Sequence, residues 1–136
     1  MISPTGKGIR YDSEGAGNYG ARRGNRTHLG VDFKSEEGQD IVAQFSMKIV
    51  RVANPAADKP KLSGIAFENA YSTGKMFYFK PKKELIGAFI KEGIVIGTQQ
   101  SLKEYYGPNM TDHIHLQFDS FDPQIILLRD LTITHP

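Results

Sequence analysis

Thr27-His28-Leu29-Gly30-Val31-Asp32-Phe33 is the stretch whose reading decides the fold. Side chains of an extended segment alternate between faces, so His28, Gly30 and Asp32 share one side. Leu29, Val31 and Phe33 share the other. One face then carries an imidazole and a carboxylate with a bare glycine between them, and the opposite face is apolar, as a core requires. His113-Ile114-His115-Leu116-Gln117-Phe118 repeats the pattern. His113 and His115 lie on one face, and Ile114, Leu116 and Phe118 on the reverse. Two strands, each apolar behind and able to ligate a metal in front, are what the rest of the chain has to bring together.

The totals narrow the setting. A chain of 136 residues is one domain by its length and can bury a core without staples. Its 39% hydrophobic and 24% charged residues argue against disorder. A net charge of +2, with both signs mixed along the chain, gives no electrostatic case for nucleic acid. There is no cysteine, which excludes a disulfide framework, a thiolate nucleophile and a cysteine zinc knuckle. A transition metal would have to be held by histidine and carboxylate. No stretch approaches the ~20 apolar residues of a membrane span. The start, Met1 to Lys7, has no apolar run of the secretory type.

Outward from the two strands, residues 1–26 are rich in Gly, Arg, Asn and Ser and read as irregular loop, with Tyr19 and the arginines as groove wall. β-rich runs follow at Ile41–Phe45 and Met47–Ala53, then a proline-bearing loop over Asn54–Lys61. Leu62–Asn69 alternates as a strand. Tyr71-Ser72-Thr73-Gly74 is a tight turn before a strand over Lys75–Lys80, ended by Pro81. Ile94–Gly97 is a further strand, and Leu102–Tyr106 one turn of helix. Asp122-Pro123 has the form of an N-cap with proline at N1, opening a short helix over Gln124–Leu128. Short strands and Gly- or Pro-rich turns with little helix predict an antiparallel β-sheet or sandwich, and leave no room for crossover helices.

Hydrolytic zinc sites use three protein ligands and one open position. His28, Asp32 and one of His113 and His115 supply two imidazoles and a carboxylate. The other histidine of the pair stands two residues along the strand, ~7 Å at Cα, within reach of a reacting proton.

Taken in order, Gly20 and Arg26-Thr27-His28-Leu29-Gly30-Val31-Asp32, Gly38 with Ile41-Val42-Ala43, Lys91-Glu92-Gly93 with Ile96-Gly97, and His113-Ile114-His115-Leu116 resemble the M23 (lysostaphin/LytM-type) zinc metallopeptidases. The resemblance covers roughly residues 20–118. Within that superfamily it runs to the leukocyte cell-derived chemotaxin branch, through Lys75-Met76-Phe77-Tyr78-Phe79-Lys80-Pro81, Ile90-Lys91-Glu92-Gly93 and Asp122-Pro123. The resemblance implies a core antiparallel sheet with long loops walling a groove. It implies Zn2+ held by His28, Asp32 and His115, with His113 as the catalytic histidine. It implies cleavage of peptide cross-links in bacterial cell-wall peptidoglycan, in a groove that Tyr19, Tyr105 and Tyr106 would suit. One departure stands out. Active members carry a further histidine in a Tyr-x-His-Leu segment, and here Lys80 occupies that position, as in the chemotaxin-like branch. A protonated Lys80 could hold an oxyanion by charge but is a poor proton shuttle near neutral pH.

The expectation is therefore a mainly β, lysostaphin-type single domain over residues 1–136: a loop segment 1–26, a β core 27–118 and an extension 119–136. It is a zinc metallopeptidase acting on peptidoglycan, with His113 and Lys80 in catalytic roles. The alternative is a non-catalytic zinc-binding interaction module on the same fold, as the lysine suggests. Its partners are a peptidoglycan peptide or another extended peptide, with virion or phage-tail proteins as a plausible setting; nucleic acid and membrane spans are not expected. Its place of action would be the bacterial cell wall, reached from a virion or on lysis.

Overall fold

The computed structural model describes residues 1–12, 15–16, 22–23, 26–27, 30–70 and 72–119. The strands in chain order are β1 (Tyr11–Asp12), β2 (Gly15–Ala16), β3 (Arg22–Arg23), β4 (Arg26–Thr27), β5 (Val31–Lys34), β6 (Asp40–Val42) and β7 (Met47–Val52). They continue with β8 (Gly64–Glu68), β9 (Thr73–Phe77), β10 (Phe79–Pro81), β11 (Phe89–Ile90), β12 (Val95–Gln99) and β13 (His113–Phe118). Helix is confined, among the described residues, to a 3-10 turn at Lys83–Leu85 and one α-helical turn, α1 (Lys103–Tyr106). The mainly antiparallel β expectation holds. The proposed helix at 124–128 lies outside the described residues.

Six strands form the main sheet in the order β11-β7-β8-β9-β13-β5, and β10-β12-β6 form a second. Every pairing is antiparallel. Alternation explains what each strand buries. Val31 and Phe33 of β5 and Ile114 and Leu116 of β13 are fully buried, and they join Ile41, Phe79 and Ile96 of the second sheet in one apolar cluster. Phe45, Phe67 and Phe118 interlock at its end, with ring centroids 5.1–5.6 Å apart.

Three departures from the sequence reading matter for the site. The segment expected as one strand over Lys75–Lys80 is two. Tyr78, with φ 84, turns the chain so that β9 stays in the main sheet and β10 enters the second. Left-handed backbone at a tyrosine is uncommon and is held here by tertiary hydrogen bonds. In β7 the register shifts between Ile49 and Arg51, and Arg51, on the face alternation shares with buried Met47 and Ile49, is exposed along with Val50 and Val52. The first ten residues are packed, not loose. Ile9 bridges Phe33, Arg10 N–H donates to Asp32 O at 2.7 Å, and Lys34 N–H donates to Gly8 O at 2.9 Å. Residues 8–10 thereby cover the free edge of β5, which would otherwise expose unpaired backbone.

Candidate functional site

The register of β5 against β13 sets His115 opposite Asp32 and His113 opposite Lys34. Directly paired residues have neighbouring side chains. Both Asp32 and His115 stand on the face their alternation assigns, so the pair meets without further adjustment. His115 Nδ1 lies 2.8 Å from Asp32 Oδ1. His113 Nε2 lies 3.5 Å from Asp32 Oδ2. Asp32 is 2% exposed and His113 5%, so the cluster is withdrawn from water. Gly30, the bare position of the motif, has a plain steric purpose: a Cβ there would stand 2.5 Å from Cε1 of His115 and 2.4 Å from the carbonyl oxygen of Leu116.

Neighbouring hydrogen bonds orient the rings. His115 Nδ1–H donates to Asp32 Oδ1 at 2.8 Å, and Nε2 faces the Gln117 side-chain amide at 2.9 Å. His113 Nδ1–H donates to Thr111 O at 2.8 Å, which leaves the Nε2 lone pair facing Oδ2. Ring nitrogens of two imidazoles are thus aimed at one carboxylate. Burial lowers the pKa of His113, with Asp32 opposing the shift, so His113 is a neutral base at neutral pH. Asp32 is held from behind by Arg10, whose Nε donates to Oδ2 at 3.2 Å and which is itself 2% exposed.

Aromatic rings wall the cluster. Phe77, opposite His115 on β9, stacks on its ring at 6.0 Å. Tyr78 stands edge-on to His113 at 5.2 Å and to Tyr106 at 6.2 Å. Burial, then the neighbouring Tyr106, pushes the Tyr78 phenol well above its ordinary pKa, so it keeps its proton and remains a donor. Its position is fixed by backbone bonds: Tyr78 N–H donates to Ser63 O at 2.7 Å and its carbonyl accepts from Gln100 N–H at 3.0 Å. The buried Gln99 side chain donates from Nε2 to both Tyr78 O (3.1 Å) and His113 O (3.0 Å), tying the two sheets together beneath the site.

Asp32, His113 and His115 are therefore brought together as the alternation predicted. Tyr106 reaches the same wall through Tyr78, whereas Tyr105 lines a separate hollow with Glu37 and Glu104. Lys80 is not brought to the cluster. It is exposed on β10, opposite Thr98, and has no hydrogen bond or ion pair to Asp32, His113 or His115 among the described residues. His28, Tyr19 and the 121–136 segment lie outside the described residues. Among the described residues no group of three possible metal ligands is assembled. Sequence reasoning missed Arg10, Tyr78 and Gln99. Arg10 sat in a stretch read as loop. Tyr78 was masked by the assumption of a continuous strand, and Gln99 gave no signal at all.

No family profile matches the chain. Over 118 residues it is 36% identical to leukocyte cell-derived chemotaxin-2 of Mus musculus, covering 85% of this chain and 76% of that protein. This chain belongs to the leukocyte cell-derived chemotaxin-2 family. The Bos taurus protein of the same name is 34% identical over 118 residues, with the same coverage of both. The fold of this chemotaxin-2 family member is also that of lysostaphin. The solution structure of lysostaphin matches 97% of the chain with a TM-score of 0.66 and 21% identity. The chain spans only 55% of lysostaphin's length. Among the described residues no helix is long and apolar enough to cross a membrane.

Proposed function

We propose that the chain is a zinc-dependent metalloendopeptidase acting on peptide cross-links of bacterial cell-wall peptidoglycan. The observation that carries the metal reading is the convergence of His115 Nδ1 and Asp32 Oδ1, two potential ligand atoms 2.8 Å apart at a carboxylate that is 2% exposed. The donor set fits zinc. One imidazole and one carboxylate are in place, and alternation along Thr27–Phe33 would aim His28 to the same side. At 2.8 Å the two atoms are close enough that one ion could be held by both. Gln117 behind His115 and Arg10 behind Asp32 are the outer partners that orient such ligands.

Zinc, when bound there, would act as a Lewis acid and make water acidic enough to ionise near neutral pH. The chain's own residues supply the rest. His113 Nε2 is a neutral acceptor for the proton released on attack at a peptide carbonyl. The Tyr78 phenol, protonated and hydrogen-bonded to Tyr106, packs edge-on against the His113 ring. Phe77 and Tyr106 exclude water around them. The peptidoglycan assignment draws on the motif resemblance and the lysostaphin fold, and action at the cell wall follows from it.

A second reading, a zinc-binding module without turnover, is favoured by one observation: Lys80, at the position of the family's additional histidine, is exposed and makes no hydrogen bond or ion pair to the cluster among the described residues. Release of free amines from purified cell walls separates the two. The peptidase reading expects release that a chelator abolishes and that His113→Ala reduces by ~10²–10⁴-fold while zinc is retained. Bound zinc with no release would establish the binding module. Equal, chelator-insensitive release by both chains would overturn the metal-dependent mechanism.

A further inference from the structure

Behind Tyr78, a cleft of about 410 Å³ is lined by three lysines, Lys61, Lys80 and Lys83. No aspartate or glutamate among the described residues lines it. All three lysines are exposed. Among the described residues none forms an ion pair, whereas Lys7, Lys59 and Lys75 do. In a chain of net charge +2 this is a local concentration of cation, not part of a uniformly basic surface. The floor is apolar, from Val52, Pro60 and Pro81, and the two prolines fix its backbone. Ser63 and Gln100 complete it, joined by a bond from Ser63 N–H to Gln100 Oε1 at 2.8 Å.

We propose that this cleft binds a phosphodiester-linked polyol polymer, and that Lys80 serves there. Lysine ammonium groups are point charges suited to monodentate phosphate oxygens; paired carboxylate recognition favours the fork of arginine, which is absent from the lining. The apolar floor accommodates the carbon linkers between phosphates. No Phe or Tyr among the described residues lines the cleft, so these residues offer no stacking platform of the kind single-stranded nucleic acid uses. Ser63 and Gln100 also hold the Tyr78 backbone from either side, so a polymer in the cleft lies directly behind the wall of the histidine site. The proposal does not depend on hydrolysis or on metal.

Binding of a poly(glycerol phosphate) oligomer, followed by calorimetry in chelator with the His113→Ala chain, tests it independently of the peptidase reading. The expected result is salt-sensitive binding that the combined Lys61→Gln, Lys80→Gln and Lys83→Gln variant weakens by roughly tenfold or more. Because these side chains are exposed and unpaired, thermal unfolding should be unchanged. The matched removal of exposed Lys34, Lys91 and Lys103 should weaken binding less than threefold by the same screening logic, a rough bound. Absence of binding, or equal loss in the two triple variants, would overturn the site. Tighter binding of polyglutamate or oligothymidylate of the same charge would overturn the polyol-phosphate assignment.

Discussion

Gly30→Ala is the sharpest steric test of the site. Gly30 has no positive φ, so its backbone is open to alanine and the cost is purely one of space. The new Cβ would stand 2.4 Å from Leu116 O, 2.5 Å from His115 Cε1 and 2.6 Å from His115 Nε2. The carbonyl belongs to a strand paired on both sides and cannot retreat, so β5 and β13 must part or the imidazole must turn. Overpacking of this kind costs ~1–3 kcal/mol. Reduced freedom of the unfolded chain returns ~0.4–1 kcal/mol. The net is ~1–2 kcal/mol. With an unfolding entropy of ~2.1 cal/mol/K per residue over 136 residues, that lowers Tm by about 3–7 °C. A turned His115 no longer presents Nδ1 beside Asp32, and zinc affinity should fall ~10–100-fold, as when an orienting group is lost. Calorimetry and competition with a chromophoric chelator measure the two quantities. An alanine chain with unchanged Tm and unchanged zinc affinity would refute the packing that places His115.

Arg10→Met removes the buried cation from Asp32. In zinc-free protein it should cost roughly 3–5 kcal/mol, lowering Tm by about 10 °C or more, with a smaller loss when zinc is present. An equal loss in both states would show that Arg10 acts elsewhere. The folded His113 has a pKa below its ordinary 6.5, so below that value the unfolded chain binds more protons. Stability of zinc-free protein should therefore be intact above pH ~6.5 and decline as pH falls toward the lowered folded value. His113→Gln should flatten that decline in denaturant titrations; an identical pH response would refute the buried, neutral assignment. Lys80→His should leave zinc affinity and any wall-lytic rate unchanged. A large gain in rate would mean that position 80 reaches the reacting atoms.

Much of this was legible because it rests on period and register. Alternation at His28–Phe33 and His113–Phe118 separated an apolar face from a polar one, and Val31, Phe33, Ile114 and Leu116 are indeed core. The single helical turn before Gly107 was equally readable, since glycine and proline punctuate it. Arg10 was not legible: its role comes from a bridge across to Phe33, and nothing local marks a strand in residues 8–10. Nor was the break at Tyr78, where a tertiary cage imposes a backbone that tyrosine's own preference would not select. That one turn exchanges the expected roles of its neighbours. Tyr78 enters the site, and Lys80 leaves it for the cleft behind.

The central claim is that one divalent ion sits between β5 and β13. The most direct measurement is zinc bound per chain by elemental analysis after exhaustive dialysis, for the wild type and for Asp32→Ala and His115→Ala. The account requires about one zinc per wild-type chain and a loss of at least ~10-fold in affinity in each variant. A wild-type chain that retains no metal when zinc is supplied, or variants that retain as much as it does, would contradict it.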